Sequence, residues 1–269
     1  MDPYKTINCK VIKVIEETSL IKTFILEPEK KFSFATGQFI QLTMPKIGES
    51  PFTPSSSQFA KGPFEVTIMK AGRVTEKLHE LKANDTVGIR GPLGTSYPLN
   101  EFEGKEVLLL GGGVGMAPLR SLLLTLLDEK DKYEKITLLY GAKNPADIVY
   151  KDQFESWKKR GAEICRTVDA ADNDWKEKEG VVTCLFDDYS VNPKNGVAVV
   201  CGPPIMMKFG TFKLLELGFA PESIYLSMEK NMSCGIGKCG HCGVGKYFAC
   251  KDGPVFKYSL IKDIEGIWE

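Results

Sequence analysis

The stretch Glu106-Val-Leu-Leu-Leu110-Gly111-Gly-Gly113-Val-Gly115-Met-Ala-Pro118 decides the fold. Val107 to Leu110 form a nearly continuous apolar run, as in a strand buried on both faces of a parallel sheet. Three glycines follow at once. Leu119, Leu122, Leu123 and Leu126 then recur at helical spacing. Strand, glycine turn and helix in that order give a glycine motif its credibility. Gly113-x-Gly115-x-x-Pro118 is close to G-x-G-x-x-G with proline third, and proline suits the first helical turn because its missing N–H is not needed there. Such a turn lets backbone approach a pyrophosphate at the helix N-terminus. The plainer alternative is a turn that only packs helix on strand.

Downstream the pattern repeats. Ile136–Tyr140 and Glu163–Val168 read as strands, with a helix over Asp152–Lys159 between them. Val197–Cys201 is another buried strand, running into Gly202-Pro203-Pro204 and a helix through Leu217. Ile224–Met228 is expected to close the sheet. Alternating strands and helices imply a doubly wound parallel sheet, with ligands at its carboxyl edge. Cys201 stands at that edge, where a buried core thiol is the ordinary expectation. No acid ends the Ile136–Tyr140 strand. Lys143 is there instead, so NADH against NADPH stays open.

Upstream, Val11–Ile15, Ile21–Leu26, Phe39–Leu42 and Phe64–Met69 are short and roughly alternating, punctuated by Gly, Pro and Ser. That pattern predicts an antiparallel β-barrel or sandwich. Val74, Leu78 and Leu81 mark one short helix. The turn Gly72-Arg73-Val74-Thr75 at its start can seat a phosphate through free amides and the Thr75 hydroxyl, or can simply cap the helix. Ser50-Pro51-Phe52-Thr53-Pro54-Ser55-Ser56-Ser57 is too rich in Pro and Ser for a mid-strand. It reads as a flexible loop or as a flat-ligand site, with the Phe52 ring and a Thr53 hydrogen bond.

Near the C-terminus Cys234, Cys239, Cys242 and Cys250 are spaced C-x4-C-x2-C-x7-C. C-x4-C-x2-C with a more distant fourth cysteine is the plant-type [2Fe–2S] spacing. Gly235, Gly237, Gly240 and Gly243 permit a tight wrap around the sulfides. Structural zinc and disulfides are the alternatives, but zinc sites usually separate two ligand pairs by a dozen or more residues. Only two histidines exist. His79 reads as a surface residue, and His241 as a donor near the cluster, a partner contact or a solvated loop residue.

At 269 residues the chain suits about two domains. Its 35 basic and 35 acidic residues cancel, so no electrostatic case exists for nucleic acid or an anionic membrane. No apolar run approaches the roughly 18 residues of a spanning helix. Met1-Asp-Pro-Tyr-Lys5 lacks the apolar core of a signal peptide. Eight cysteines, four of them clustered, point to a reducing, cytoplasmic setting. Cys9, Cys165 and Cys184 read as small core residues.

Taken together these motifs resemble the ferredoxin–NADP⁺ reductase superfamily over essentially the whole chain. They look most like its iron–sulfur electron-transfer subunits, those of anaerobic sulfite reductase, cytosolic sulfhydrogenase and dihydroorotate dehydrogenase. The resemblance implies an FAD-binding β-barrel at 1–101, an NAD(P)-binding α/β domain at 102–229 and a [2Fe–2S] domain at 230–269. It implies Phe52, Thr53, Gly72, Val74 and Thr75 as flavin contacts, and Gly113, Gly115 and Pro118 as nicotinamide dinucleotide contacts. Thr53 and Cys201 fall at the reacting centre, Cys201 beside the nicotinamide. Cys234, Cys239, Cys242 and Cys250 are the cluster ligands. The superfamily's flavin motif is Arg-x-Tyr-[Ser/Thr]. Here Ser50 replaces the arginine, which removes a charge-assisted phosphate contact and leaves FAD against FMN open. The usual C-terminal aromatic over the flavin is absent. The implied function is to pass electrons between NAD(P)H, FAD and the cluster to the catalytic subunit of a larger redox complex. Sulfite reductase or hydrogenase is favoured, dihydroorotate dehydrogenase is the alternative, and a zinc-stabilised, non-redox regulatory subunit is the rival from another class.

Overall fold

In the computed structural model the described residues are 4–189 and 192–268. Met1, Asp2 and Pro3, part of the N-terminal stretch read above, lie outside them. Six antiparallel strands come first: β1 (Ile7–Glu16), β2 (Ile21–Pro28), β3 (Phe39–Met44), β4 (Gly48–Phe52), β5 (Phe64–Met69) and β6 (Thr86–Leu93), in the order β4-β3-β6-β1-β2-β5. Pro54 bridges to Val66 and the Ser55 amide donates to the Glu65 carbonyl (2.7 Å), which brings the two edges together into a barrel. Alternate residues such as Val11, Phe24, Ile40, Leu42, Val66 and Ile89 fill its interior. Helix α1 (Arg73–Leu78) is shorter than the apolar spacing suggested, with Leu81 beyond its end.

Ser50-Pro51-Phe52 is strand, not loop. β4 is an edge strand, where a proline costs no ladder bond. Ser55, Ser56 and Ser57 are buried rather than flexible. The Ser56 hydroxyl accepts from the Glu65 amide, and the Ser57 hydroxyl donates to Asp128 across the domain boundary (2.5 Å).

After a short α2 (Leu99–Phe102) come β7 (Glu106–Gly112), α3 (Met116–Asp128), β8 (Lys135–Ala142), α4 (Phe154–Lys159), β9 (Ala162–Val168), β10 (Lys178–Glu179), β11 (Gly196–Cys201), α5 (Pro204–Glu216) and β12 (Ile224–Ser227). Strands β7 to β12 are parallel, in the order β10-β9-β8-β7-β11-β12. Sheet alternation sorts the core. Val107, Leu109, Leu138 and Val199 face α3 and α4, while Leu108, Leu110, Leu139 and Val200 face α5. β7 is flanked by β8 and β11, so the strand order reverses there and opens a crevice at the carboxyl ends.

The sheet does not end at β12, as the sequence suggested. After the small hairpin β13 (Gly243–Val244) and β14 (Tyr247–Phe248), strand β15 (Val255–Lys257) returns and pairs antiparallel with β12. The α6 turn (Tyr258–Ile261) follows. Cys242, Val244, Ala249, Cys250 and Phe256 join Met207 and Leu214 of α5 in one apolar cluster. The cysteine segment thus leaves and re-enters the nucleotide sheet and packs on its α5 face.

Candidate functional site

A cleft of about 1110 Å³ opens between barrel and sheet. Phe52, Thr53 and the turn Gly72 to Thr75 line its barrel wall. Gly115 and Pro118 at the start of α3, and Cys201 to Pro204 at the end of β11, line the opposite wall. Met228 to Ser233 and His241 carry the cleft to the cysteine segment. Residues from all three parts of the chain therefore share one cavity.

The two motif glycines differ. Gly113 has φ +54°, and a Cβ there would meet nothing within 4 Å, so its face is open. Gly115 has no such freedom, because a Cβ would lie 2.5 Å from the Cys201 carbonyl oxygen. It lets α3 butt against the end of β11. Gly115 thus packs helix on strand, while Gly113 leaves the other face of the turn open. A Cβ on Gly72 would also meet nothing, so the phosphate-type turn faces open space. Its Thr75 hydroxyl is spoken for: it accepts from the Ala71 and Gly72 amides (2.8 and 2.9 Å) and donates to the Gly72 carbonyl (2.8 Å). Thr75 shapes the turn, and the open groups there are main chain.

Cys201 is buried, and burial pushes its thiol up to about 12, although a hydrogen bond with Ser227 works against this. It is a neutral thiol at physiological pH. Burial likewise raises the nearby Tyr97 hydroxyl, with Ser227 again working against it.

The four cysteines stand as two pairs, Cys234 with Cys239 and Cys242 with Cys250. Backbone amides of Ile236 (3.5 Å), Lys238 (3.2 Å) and Cys239 (3.4 Å) donate to Cys234 Sγ, and that of Gly237 (3.0 Å) to Cys250 Sγ. Burial pushes the Cys234 thiol up, but these amides prevail and hold it below its ordinary value. Hydrogen bonds from the loop bring exposed Cys239 down to about 7. Burial sends Cys250 up to about 12. Gly235, Gly237 and Gly240 all take left-handed φ (+73°, +72°, +81°), as the tight wrap requires. Among the described residues no three acidic, His or Cys groups converge as for a single ion. Two cysteine pairs, with backbone N–H groups donating to Cys234 and Cys250, suit a [2Fe–2S] cluster, in which each of two irons takes two protein sulfurs.

Several functional residues escaped the sequence reading. Arg120 sits inside the α3 leucine stripe and is 5% exposed. Its guanidinium donates to the Ser55 carbonyl (2.8 Å), Glu65 (2.8 Å) and Gln153 (2.9 Å) and lies 4.7 Å from the centre of the Tyr150 ring. It locks barrel to sheet. A charge amid leucines was the signal. Arg90 of β6 is buried as well and donates to both oxygens of Glu49 and to the Cys234 carbonyl (3.3 Å). His79 is half-buried rather than on the surface, with Nε2 2.9 Å from the Ile68 carbonyl. His241 is exposed, lines the cleft, and has Nδ1 3.0 Å from the Ser233 hydroxyl. Cys9 is core, whereas Cys165 and Cys184 are only partly buried.

Comparison with known proteins agrees with this geometry. The family model "Oxidoreductase FAD-binding domain" matches residues 8–97 and "Oxidoreductase NAD-binding domain" matches 109–211. "Iron-sulfur cluster binding domain of dihydroorotate dehydrogenase B" matches 229–262, which sets the zinc alternative aside. The gamma subunit of sulfhydrogenase 1 from Pyrococcus furiosus is 41% identical, the alignment covering 99% of this chain and 95% of that protein. A probable electron transfer subunit of dihydroorotate dehydrogenase B from Methanocaldococcus jannaschii is 36% identical over 97% and 93%. Among solved structures, the NADH-dependent reduced ferredoxin–NADP oxidoreductase, described in connection with flavin-based electron bifurcation, superposes with a TM-score of 0.76 at 27% identity, covering 96% of this chain and 89% of that one. The chain therefore belongs to the ferredoxin–NADP⁺ reductase-like electron-transfer subunits, which bind FAD, a nicotinamide dinucleotide and an iron–sulfur cluster and serve a catalytic partner.

Proposed function

We propose that this subunit exchanges electrons between NADH or NADPH and the catalytic subunit of a hydrogenase or a sulfite-reducing complex, in a reducing cytoplasm. The single observation carrying this is the continuous cleft from Thr53 and Gly72, past Gly115 and Cys201, to Ser233 and His241 at the cluster loop. The 41% identity to a sulfhydrogenase gamma subunit supports the choice of partner over dihydroorotate dehydrogenase. The residues divide the work. Phe52 offers a ring face and Thr53 a hydrogen bond to the flavin ring, and the open main chain at Gly72 to Val74, shaped by Thr75, receives its phosphates. Gly113 and Pro118 frame the nicotinamide dinucleotide, with Gly115 setting the depth of the turn. Cys201, held neutral, presses on the nicotinamide without adding charge. Cys234, Cys239, Cys242 and Cys250 hold the cluster. When bound, the flavin would supply two-electron (hydride) chemistry and the cluster one-electron chemistry. The protein positions them and keeps water out. The working division of the chain is 1–101, 102–229 and 230–269, with β15 structurally part of the central sheet.

The test is an anaerobic absorbance spectrum of the purified protein before and after NADH and then NADPH, followed by identification of co-purifying subunits. Flavin bands near roughly 450 nm with iron–sulfur shoulders that bleach on addition support the reading, and the faster reductant names the nucleotide. Cofactors that neither nucleotide bleaches overturn the electron donor. A dihydroorotate dehydrogenase catalytic chain as the sole partner overturns the partner.

A further inference from the structure

The barrel meets the cysteine loop through a polar contact that the electron path itself does not require. On β3 and β6, Ile40, Leu42 and Ile89 point into the barrel, so Gln41 and Arg90, register partners across the two strands, point out of it. Both are buried, at 0% and 3% exposure. Arg90 Nη2 donates to Glu49 Oε2 (2.6 Å) and to the Cys234 carbonyl (3.3 Å), and its Nε to Glu49 Oε1 (3.1 Å). The Thr43 hydroxyl also donates to Glu49 (2.8 Å). Gln41 Nε2 reaches the Met232 carbonyl (3.4 Å). Gly235 takes φ +73°, and a Cβ there would lie 2.9 Å from the Leu93 Cδ1. The Tyr4 ring lies between Arg90 and Lys238 of the loop, 5.6 and 5.9 Å from the two cations. Glu49 lines the flavin cleft.

We propose that the Glu49–Arg90 pair is a positioning and tuning device, which seats the cluster loop on the flavin barrel and sets how readily the cluster takes an electron. This rests on Cys234, Cys239, Cys242 and Cys250 being the cluster ligands. The pair is oriented, with its guanidinium on the loop side against the Cys234 carbonyl and its carboxylate on the cleft side. Reduction adds one electron, and so one negative charge, to the cluster. A buried cation beside a ligand residue favours that added charge, because interactions in a poorly solvated site are weakly screened. The carboxylate behind it opposes the effect. Two substitutions at one contact must therefore move the potential in opposite directions. A brace that only held the loop would give both the same sign or no shift.

The experiment is an electron-paramagnetic-resonance redox titration of the cluster in full-length protein, after iron and sulfide analysis of each variant. Arg90→Met is expected to disfavour the reduced cluster about tenfold, a shift of roughly 59 mV to lower potential for one electron. Glu49→Gln is expected to shift it upward, and Arg90→Lys, which keeps the charge, to stay near the parent. Shifts of equal sign, or none in Glu49→Gln, overturn the proposal. Should Arg90→Met fail to fold or load, Glu49→Gln and Arg90→Lys decide alone. Absence of iron from the parent protein overturns the ligand assignment instead, so the two failures are distinct.

Discussion

Two glycine-rich turns serve this molecule, and they use glycine for different reasons. At Gly111 and Gly115 of the first turn the limiting quantity is space. Gly115 abuts the Cys201 carbonyl, and a Cβ on Gly111 would lie 2.9 Å from Leu119. In the Cys234–Cys242 loop the limiting quantity is handedness, since Gly235, Gly237 and Gly240 all have positive φ and Gly240 has nothing within 4 Å of a Cβ. The first turn is shaped by the sheet around it. The second is shaped by sulfur acceptors that gather backbone N–H groups. Damage to the first should spread into the fold, and damage to the second should stay with the cluster.

The sharpest break is Cys239→Ser. We expect transfer to one-electron acceptors to vanish while NAD(P)H-driven flavin bleaching persists, as seen by stopped-flow absorbance. Equal loss of both would falsify the division between the turns. Next is Gly115→Ala. A methyl 2.5 Å from backbone cannot be absorbed by a side-chain rotation, and overpacking of this kind costs about 3 kcal/mol. Thermal melts should show a drop for the whole nucleotide unit. Gly113→Ala meets no neighbour but places a side chain at φ +54°, a cost of about 1–2 kcal/mol. Its signature is weaker nicotinamide binding in a titration, with flavin content unchanged. Flavin loss here would mean that the cleft walls are assigned the wrong way round.

The smallest effect concerns His79. Burial, helped by Lys22 and Lys70 and opposed by the hydrogen bond to Ile68, holds its pKa below the ordinary value. As pH falls below about 6.5 the unfolded chain takes up this proton before the folded one does. Stability is therefore full above that pH and declines as pH drops toward the folded value. In His79→Gln this part of the slope of melting temperature against pH between 7 and 5 should flatten. An unchanged slope refutes the burial argument.

Much of this was legible in the residues. The leucine stripe of α3, the buried runs of β7 and β11, and the cysteine spacing each carry a local physical signature, and each took its expected form. What could not be read was what depends on partners distant in sequence. Ser55 to Ser57 are polar and look like loop, yet they are buried because Glu65, Thr67, Arg120 and Asp128 arrive from elsewhere to bond them. Arg90 and Glu49 are unremarkable in sequence, 41 positions apart, and meet only because β3, β4 and β6 are adjacent. Thr75 does stand in the first turn of the helix, but its hydroxyl serves that turn, because a threonine three residues past an N-cap glycine finds the turn's own amides first. β15 was missed because three residues make a weak pattern, and its pairing with β12 depends on the chain's return.

That return has a further consequence. Ser227 and Val255 are directly paired antiparallel neighbours, so the entire cluster segment is the connection of a β-hairpin, an excursion whose two feet stand side by side. An insert of this kind can be exchanged as a cassette. A tight turn joining Ser227 to Val255 would complete the sheet without the metal-binding lobe, whereas cutting the chain after Ser227 would strip an edge strand and bare the backbone of β12 to unwanted pairing. The cluster segment is in this sense a module carried on the nucleotide-binding sheet and anchored to it at both ends.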